Sequence, residues 1–402
     1  MTFEQTDIAV RSLAIFSKLR NDVGVSALTK MMRLPKKEEF AELWATYYNA
    51  LAETACEKNC AEYFRRLVAA DDNVFARRVA AGESVESLKD RAECELRIIE
   101  ELASIVPDDF KIAYADIYEN FAKWERGESK IPDVAELVET VKKNGYGIVS
   151  KSVAYRFEKE RLIPIDGISE IRLNDLKLYE DCKKAVADNT SDFLDGLPAN
   201  NVLLYGDRGS GKSSTVHAVL NEYKDRGLRL VELNKAAIKD FPVLFDMIRK
   251  FKILKFVVFI DDLTFVDGTD DFSELKAALE GSVCRPENAL IYATTNRRHL
   301  VRESFEARQN DVHINDTLQE QASLSDRFGL VVTFLSPDRK DFCEILKRIL
   351  ADRGIEMQIT EIESIAERYA LKKGGRSGRA AKQLADMIES RIRRGLPPSQ
   401  SV

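Results

Sequence analysis

Histidine is scarce in this chain, three among 402 residues, and none lies near Cys56 and Cys60, the one cysteine pair spaced to share a helix face. A metal site there lacks the partners such sites usually draw on. The six cysteines, Cys56, Cys60, Cys94, Cys182, Cys284 and Cys343, are scattered. A chain long enough to bury an ample core needs no disulfide staples. No run of about 18 apolar residues occurs, which excludes a helical membrane span; even KFVVFIDDLTFV is broken by two aspartates. Positive charge is not in excess: the net charge is -6 and the pI near 5.5. Bulk charge therefore gives no support to a strongly basic nucleic-acid surface. The opening MTFEQTDIAVRSLAIFSKLR puts acidic residues ahead of its apolar stretch. That is unlike a secretory leader, and the expectation is a mature cytoplasmic protein.

What remains is ordinary globular material, 45% hydrophobic and 32% charged with no long low-complexity tract. A single core stops growing at about 250 to 300 residues, so two or three domains are expected. From about residue 5 to 145 apolar residues recur at three and four, as in FAELWATYYNALAE and LRIIEELASIV, and predict amphipathic helices. Trp44, Tyr47, Tyr48, Phe64 and Trp124 are expected to fill contacts between them. Near Leu162-Ile163-Pro164 the texture changes to short apolar runs alternating with helical patterns, as in a parallel α/β sheet. Five strands are expected, NVLLYG, LRLVELN, FVVFID, ALIYATTN and GLVVTFL, each apolar enough to be buried on both faces. After Leu335 the pattern is helical again. Ser336-Pro337 predicts one N-terminus, Thr360 to Glu363 a capping box, and a last helix should run from near Ser377 to Arg394. The expected domains are 1–161, all-α; 162–335, an α/β core; and 336–402, a helical lid.

Gly206-Asp207-Arg208-Gly209-Ser210-Gly211-Lys212-Ser213 fits the P-loop pattern, follows a buried-looking strand and precedes a helical segment that opens with Ser213 and Ser214. Glycines there let backbone N–H groups turn inward around phosphates, the helix N-terminus favours negative charge, and lysine compensates the β and γ phosphates. Ser213 is placed to ligate Mg2+. The run FVVFI ends in Asp261-Asp262 at what should be the carboxyl edge of the sheet, where ligands bind in open α/β folds. Asp261 is the candidate metal residue. Asp262 stands where many ATPases carry a water-polarising glutamate, with Glu232 or Glu280 as alternatives. The expected cofactors are ATP and Mg2+. His217 is expected to be an inert passenger on the P-loop helix.

One more strand-like segment, LRLVELN, between the two motifs resembles the additional-strand ATPases. The chain resembles AAA+ proteins in particular: ALIYATTN ends in Asn296 where they carry sensor 1, SLSDRFG points to Arg327 as an arginine finger, and GGRSGRAAKQL resembles the sensor 2 region. Arg379 is the sensor 2 candidate, with Arg376 the alternative. The wording from about 162 to 384, including NTSDFLDGLPANNVLLYGDRGSGKSS, KFVVFIDDLTF and IYATTNRRHL, is similar to the bacterial family catalogued as domain of unknown function 815. One departure is Leu178, where relatives usually have a glycine before the tyrosine of the adenine-bordering segment.

The resemblance implies a homo-oligomeric ATPase in which Asp262 and Asn296 position water and Arg327 reaches a neighbour's nucleotide, driving a conformational change in an unidentified protein or nucleic-acid client. The alternative is a loader-like module, gated by nucleotide and slow to hydrolyse it, whose basic Arg297, Arg298 and His299 would meet DNA. A small-molecule kinase leaves the finger and lid signals unexplained.

Overall fold

The computed structural model describes residues 1–263, 265–266, 270–280, 285–296, 301–302 and 327–398, which divide into two compact units, 1–152 with 250–254, and 153–249 with 255–402. The first unit is helical, as its periodicity requires. Its longest helices are Lys37–Glu53 and Glu86–Ala103. Phe40, Trp44, Tyr47 and Phe64 bury one face of this bundle, and Trp124 packs at 4.6 Å from the Trp44 ring. Tyr48 is only half-buried. Cys56 and Cys60 do not share a helix face. Asn59 caps the helix Cys60–Ala70 through its side chain, so Cys56 lies in the preceding turn, and both thiols are buried and free. Glu95 is fully buried and accepts backbone N–H groups from Ala14, Ile15 and Phe16 at 2.9 to 3.0 Å, with Arg91 beside it at 2.5 Å. Four donors on one carboxylate are what keep such a charge tolerable in the interior.

The second unit is built on a sheet. Its strands are β1 (Ala154–Glu158), β2 (Arg161–Pro164), β3 (Val202–Gly206), β4 (Leu228–Leu233), β5 (Lys255–Ile260), β6 (Phe265–Val266), β7 (Ala289–Thr295), β8 (Val301–Arg302) and β9 (Leu330–Phe334). Among the described residues the main sheet has seven strands, not five, in the order β2-β1-β4-β5-β7-β3-β9, and β6 pairs with β8 separately. The five expected strands are all present and mutually parallel, but β9, at the end of the order, is buried on one face only, with Val331 and Thr333 exposed. The additional two form a hairpin at 154–164, whose β1 alternates buried Tyr155 and Phe157 with exposed Arg156 and Glu158 and pairs in parallel with β4. Its turn residues Lys159 and Glu160 both have positive φ, 49° and 58°, the requirement of the tight turns that follow strand twist. The strand inserted in space between β3 and β5 is β7; LRLVELN, as β4, lies on the far side of β5.

Beyond β9 three helices, Arg339–Asp352, Ile359–Lys373 and Gly378–Arg393, enclose their own apolar cluster around Leu346, Ile365 and Leu384. The first starts two residues later than Ser336-Pro337 suggested, because Asp338 is the cap and accepts the Asp341 N–H at 2.7 Å. Thr360 makes no capping box, since the second helix is already under way at Ile359 and its N-cap residue, Gln358, has no capping side-chain bond. The third is capped by Ser377, as its sequence indicated, and ends at Arg393. No helix among the described residues is long and apolar enough to cross a membrane.

Candidate functional site

The loop after β3 is held from its first residue. Gly206 has φ 145°, and a Cβ there would lie 1.9 Å from the Phe334 carbonyl oxygen, so only glycine fits beside β9. Asp207 follows, its N–H donating to Phe334 O at 3.2 Å and its carboxylate accepting the Ser336 N–H and hydroxyl at 3.0 and 2.6 Å. The predicted cap Ser336 thus ties the chain entering the lid to this loop. On the other shoulder Gly209 O accepts the Arg379 N–H at 3.2 Å. Gly211 turns the chain with φ 106° into the helix Lys212–Tyr223, whose first-turn N–H groups have no partner within the helix.

Lys212 is 6% exposed, and its ammonium donates to Gly206 O, Asp207 O and Asn296 Oδ1, each at 2.8 Å. Burial lowers its pKa from the ordinary lysine value, against the opposing pull of Asp207, Asp261 and Asp262. Beside it Ser210 is buried and its hydroxyl has no hydrogen-bond partner.

The end of β5 supplies the carboxylates. Asp261 Oδ1 accepts the Ser213 hydroxyl at 2.6 Å and the Thr294 hydroxyl at 2.5 Å. Asp262 stands in the left-handed region with φ 53°, its N–H on Thr294 Oγ1 at 2.9 Å and its carboxylate accepting Asn296 Nδ2 at 2.8 Å. Asn296 therefore joins Lys212 to Asp262 through the two ends of one amide. These groups line a cavity of about 950 Å³ that also takes in Arg208, Ser214 and Arg379.

The remaining candidates are apart from it. Arg376 is paired with Glu367 at 3.0 Å and is not among the cavity residues, whereas Arg379 lines the cavity together with Arg353, a lid arginine already paired with Asp386 and Glu389. Arg327 is half-buried and does not line the cavity. Glu232 does not line it either, and its nearest described partner is His217 at 3.8 Å. The Glu280 side chain, Arg297, Arg298, His299, Cys284 and residues 323–326 lie outside the described residues. In the segment with the missing glycine, Tyr179 itself takes the left-handed conformation, φ 67°, and its hydroxyl donates to Leu335 O. Leu178 lines the cavity and packs against the lid cluster, and Lys177 meets Asp352 of the lid at 2.6 Å. Sequence reasoning passed over Thr294 and the Ser336 strap, because neither carries a motif; their signal is position, one opposite Asp261 and one after the strand that abuts Gly206.

Residues 150–392, more than half of the chain, match the family described as "Protein of unknown function (DUF815)". The chain belongs to that family. No curated protein matches this DUF815 chain. Solved structures similar to it include the Thermotoga maritima RuvB Holliday junction branch migration motor, at 18% identity over 56% of this chain and 66% of that one, TM-score 0.37. Another is the FIGL-1 AAA domain in complex with ADP, at 20% identity over 57% and 79%, TM-score 0.39. A third is C. elegans PCH-2, at 16% identity over 54% and 64%, TM-score 0.37. The DUF815 chain spans just under two thirds of the RuvB chain, and likeness at this level carries nothing about activity. The second unit of the DUF815 chain has the α/β architecture its sequence predicted, a mostly parallel sheet followed by a helical lid, with seven strands in the main sheet among the described residues where five were expected.

Proposed function

We propose that this DUF815 protein is a cytoplasmic ATPase that binds Mg-ATP between its sheet edge and its helical lid and hydrolyses the β-γ phosphoanhydride to move a client. One observation carries the reading: Lys212, Ser213, Asp261, Asp262, Asn296 and Arg379 line one cavity, although they come from four separate stretches of chain. The residues fit the group. The buried Ser210 hydroxyl and the first-turn N–H groups want an acceptor, and Lys212 now has only neutral oxygens for its three protons. Phosphate oxygens satisfy all of these.

Among the described residues no cluster of three or more His, Cys, Asp or Glu is placed to hold a metal ion by itself. That suits Mg2+, which keeps several waters and is held by one or two protein oxygens together with substrate phosphates. Ser213 and Asp261 would hold it, and the ion would neutralise charge developing on the phosphate oxygens. Gly206, Asp207, Arg208, Gly209, Ser210, Gly211 and Ser214 form the cradle, and Arg379 brings the lid's charge to the same anion. Asp262 would orient the attacking water, with the Asn296 amide keeping its carboxylate in place.

Aspartate reaches one methylene less far than glutamate, and this favours a second reading, a nucleotide-gated module that turns over slowly. Asp262→Asn separates the two. Its amide oxygen can still accept from Asn296, so nucleotide affinity should stay within about threefold of wild type while steady-state phosphate release falls about a hundredfold, the range of general-base catalysis. Equal phosphate release by both proteins counts against Asp262, and no sustained release by wild type counts against the hydrolase reading.

The proposed assembly places Arg327 against a neighbouring subunit's nucleotide, with the helical unit, 1–152 rather than the expected 1–161, meeting the client. Light scattering after gel filtration should show assembly that grows with a non-hydrolysable ATP analogue. Arg327→Ala should cut phosphate release at least tenfold at unchanged nucleotide affinity, since a trans-acting arginine acts on the transition state. A variant as active as wild type removes the finger.

A further inference from the structure

We infer that Thr294 is the positioning residue of the candidate metal carboxylate: its hydroxyl holds Asp261 and the turn behind it, and so sets how strongly Mg2+ assists nucleotide binding. The inference rests on the nucleotide-site reading above and adds to it a residue that no motif marks.

The ladder between β5 and β7 pairs Ile260 with Ala293, so Thr294 stands one step beyond, against Asp261. It is 2% exposed. Its Oγ1 accepts the Asp262 N–H at 2.9 Å and lies 2.5 Å from Asp261 Oδ1. An amide can only donate and a carboxylate only accept, so the single hydroxyl proton is committed to Asp261. The main chain of the same residue adds a third bond, Thr294 O accepting the Leu263 N–H at 2.7 Å. Three consecutive residues after β5 are thereby fixed to one.

This explains two things together. Asp262 adopts φ 53°, a left-handed conformation that an L-residue rarely takes unaided, and the bonds from 262 and 263 to Thr294 hold it there. Both hydroxyls on Asp261, from Ser213 and Thr294, bond the same oxygen, Oδ1. Oδ2 therefore has no hydrogen bond among the described residues and is the oxygen offered to a ligand. Ser213 is itself a candidate metal ligand, so its hydroxyl would be shared, the proton to Asp261 and a lone pair to the cation. Thr294 is then the hydroxyl that keeps the carboxylate oriented.

Outer partners of metal ligands typically contribute about 10- to 100-fold in metal affinity. The test is an equilibrium titration of the full-length chain with a fluorescent ATP analogue, in Mg2+ and in EDTA, for wild type, Thr294→Val and Thr294→Ser. Valine keeps the shape and removes the hydroxyl; serine restores it. The expected result is equal affinity for all three in EDTA, with the gain on adding Mg2+ reduced at least tenfold in the valine variant and retained in the serine variant. Should the valine chain fail to fold, Thr294→Ala takes its place. A full Mg2+ gain without the hydroxyl, no Mg2+ gain in wild type, or loss of EDTA affinity in the valine variant each overturns the inference. Absence of any nucleotide binding by wild type instead brings down the site reading on which it stands.

Discussion

Lys212→Ala is expected to lose nucleotide binding, with Kd raised a hundredfold or more, while the fold stays as stable as wild type or gains slightly. The two halves of this expectation have different causes. With phosphate present, the ammonium faces an anion in a pocket where it is 6% exposed. Removing one partner of a buried, hydrogen-bonded charge pair costs about 3 kcal/mol or more, and each 1.4 kcal/mol is a factor of about ten. Without nucleotide, the same ammonium is a burden. Burial depresses its pKa, so the charged form costs the fold stability at every pH below that depressed value, and the cost fades as pH rises through it toward the unfolded value. Alanine removes the burden at neutral pH. Calorimetric titration with ATP and a thermal melt of the same sample check both halves; wild-type affinity in the variant would sink the phosphate-site assignment.

Gly206→Ala is the second large effect, and it acts on folding. The new Cβ would lie 1.9 Å from Phe334 O and 2.6 Å from its carbonyl carbon, all backbone, so neither neighbour can rotate aside. β3 and β9 are hydrogen-bonded at this point and would have to part. A loss of at least about 4 kcal/mol is expected, the exceptional range for a single substitution. Gly196→Ala is the control: φ is positive there too, 75°, but nothing lies within 4 Å of the added atom. Its cost should be only the left-handed backbone penalty, about 1 kcal/mol. Urea denaturation of the two variants gives the comparison, and similar midpoints would show that the 206–334 contact is looser than described.

The five parallel strands were legible because each is a short, mostly apolar run, a pattern that survives any arrangement of neighbours; that β9 would leave Val331 and Thr333 exposed was not. Their spatial order was not, since sequence adjacency placed LRLVELN between the two motifs whereas the sheet inserts β7 there. The hairpin at 154–164 escaped because its strands are short and its turn uses Lys159 and Glu160, with no glycine or asparagine to mark it. At the site, the residues with a charge or a motif were found: Lys212, Ser213, Asp261, Asp262, Asn296 and Arg379 share one cavity. That Arg376 pairs with Glu367 away from the cavity, while Arg379 lines it, could be seen only in the structure. Thr294 and Ser336 look like ordinary strand and linker residues, and only their partners, Asp261 and Asp207, distinguish them.

The hairpin that widens the sheet also decides how it ends. Had the sheet stopped at β4, a six-residue strand of Leu, Arg, Leu, Val, Glu and Leu, most of it buried, would have presented a free row of amides and carbonyls. Such rows recruit foreign strands. Instead the outermost strand is β2, four residues long, opening on the exposed Arg161 and closing at Pro164, which has no N–H to offer. At that margin the chain is built to resist aggregation, protecting the interior of its own sheet with a strand too short and too abruptly ended to template another.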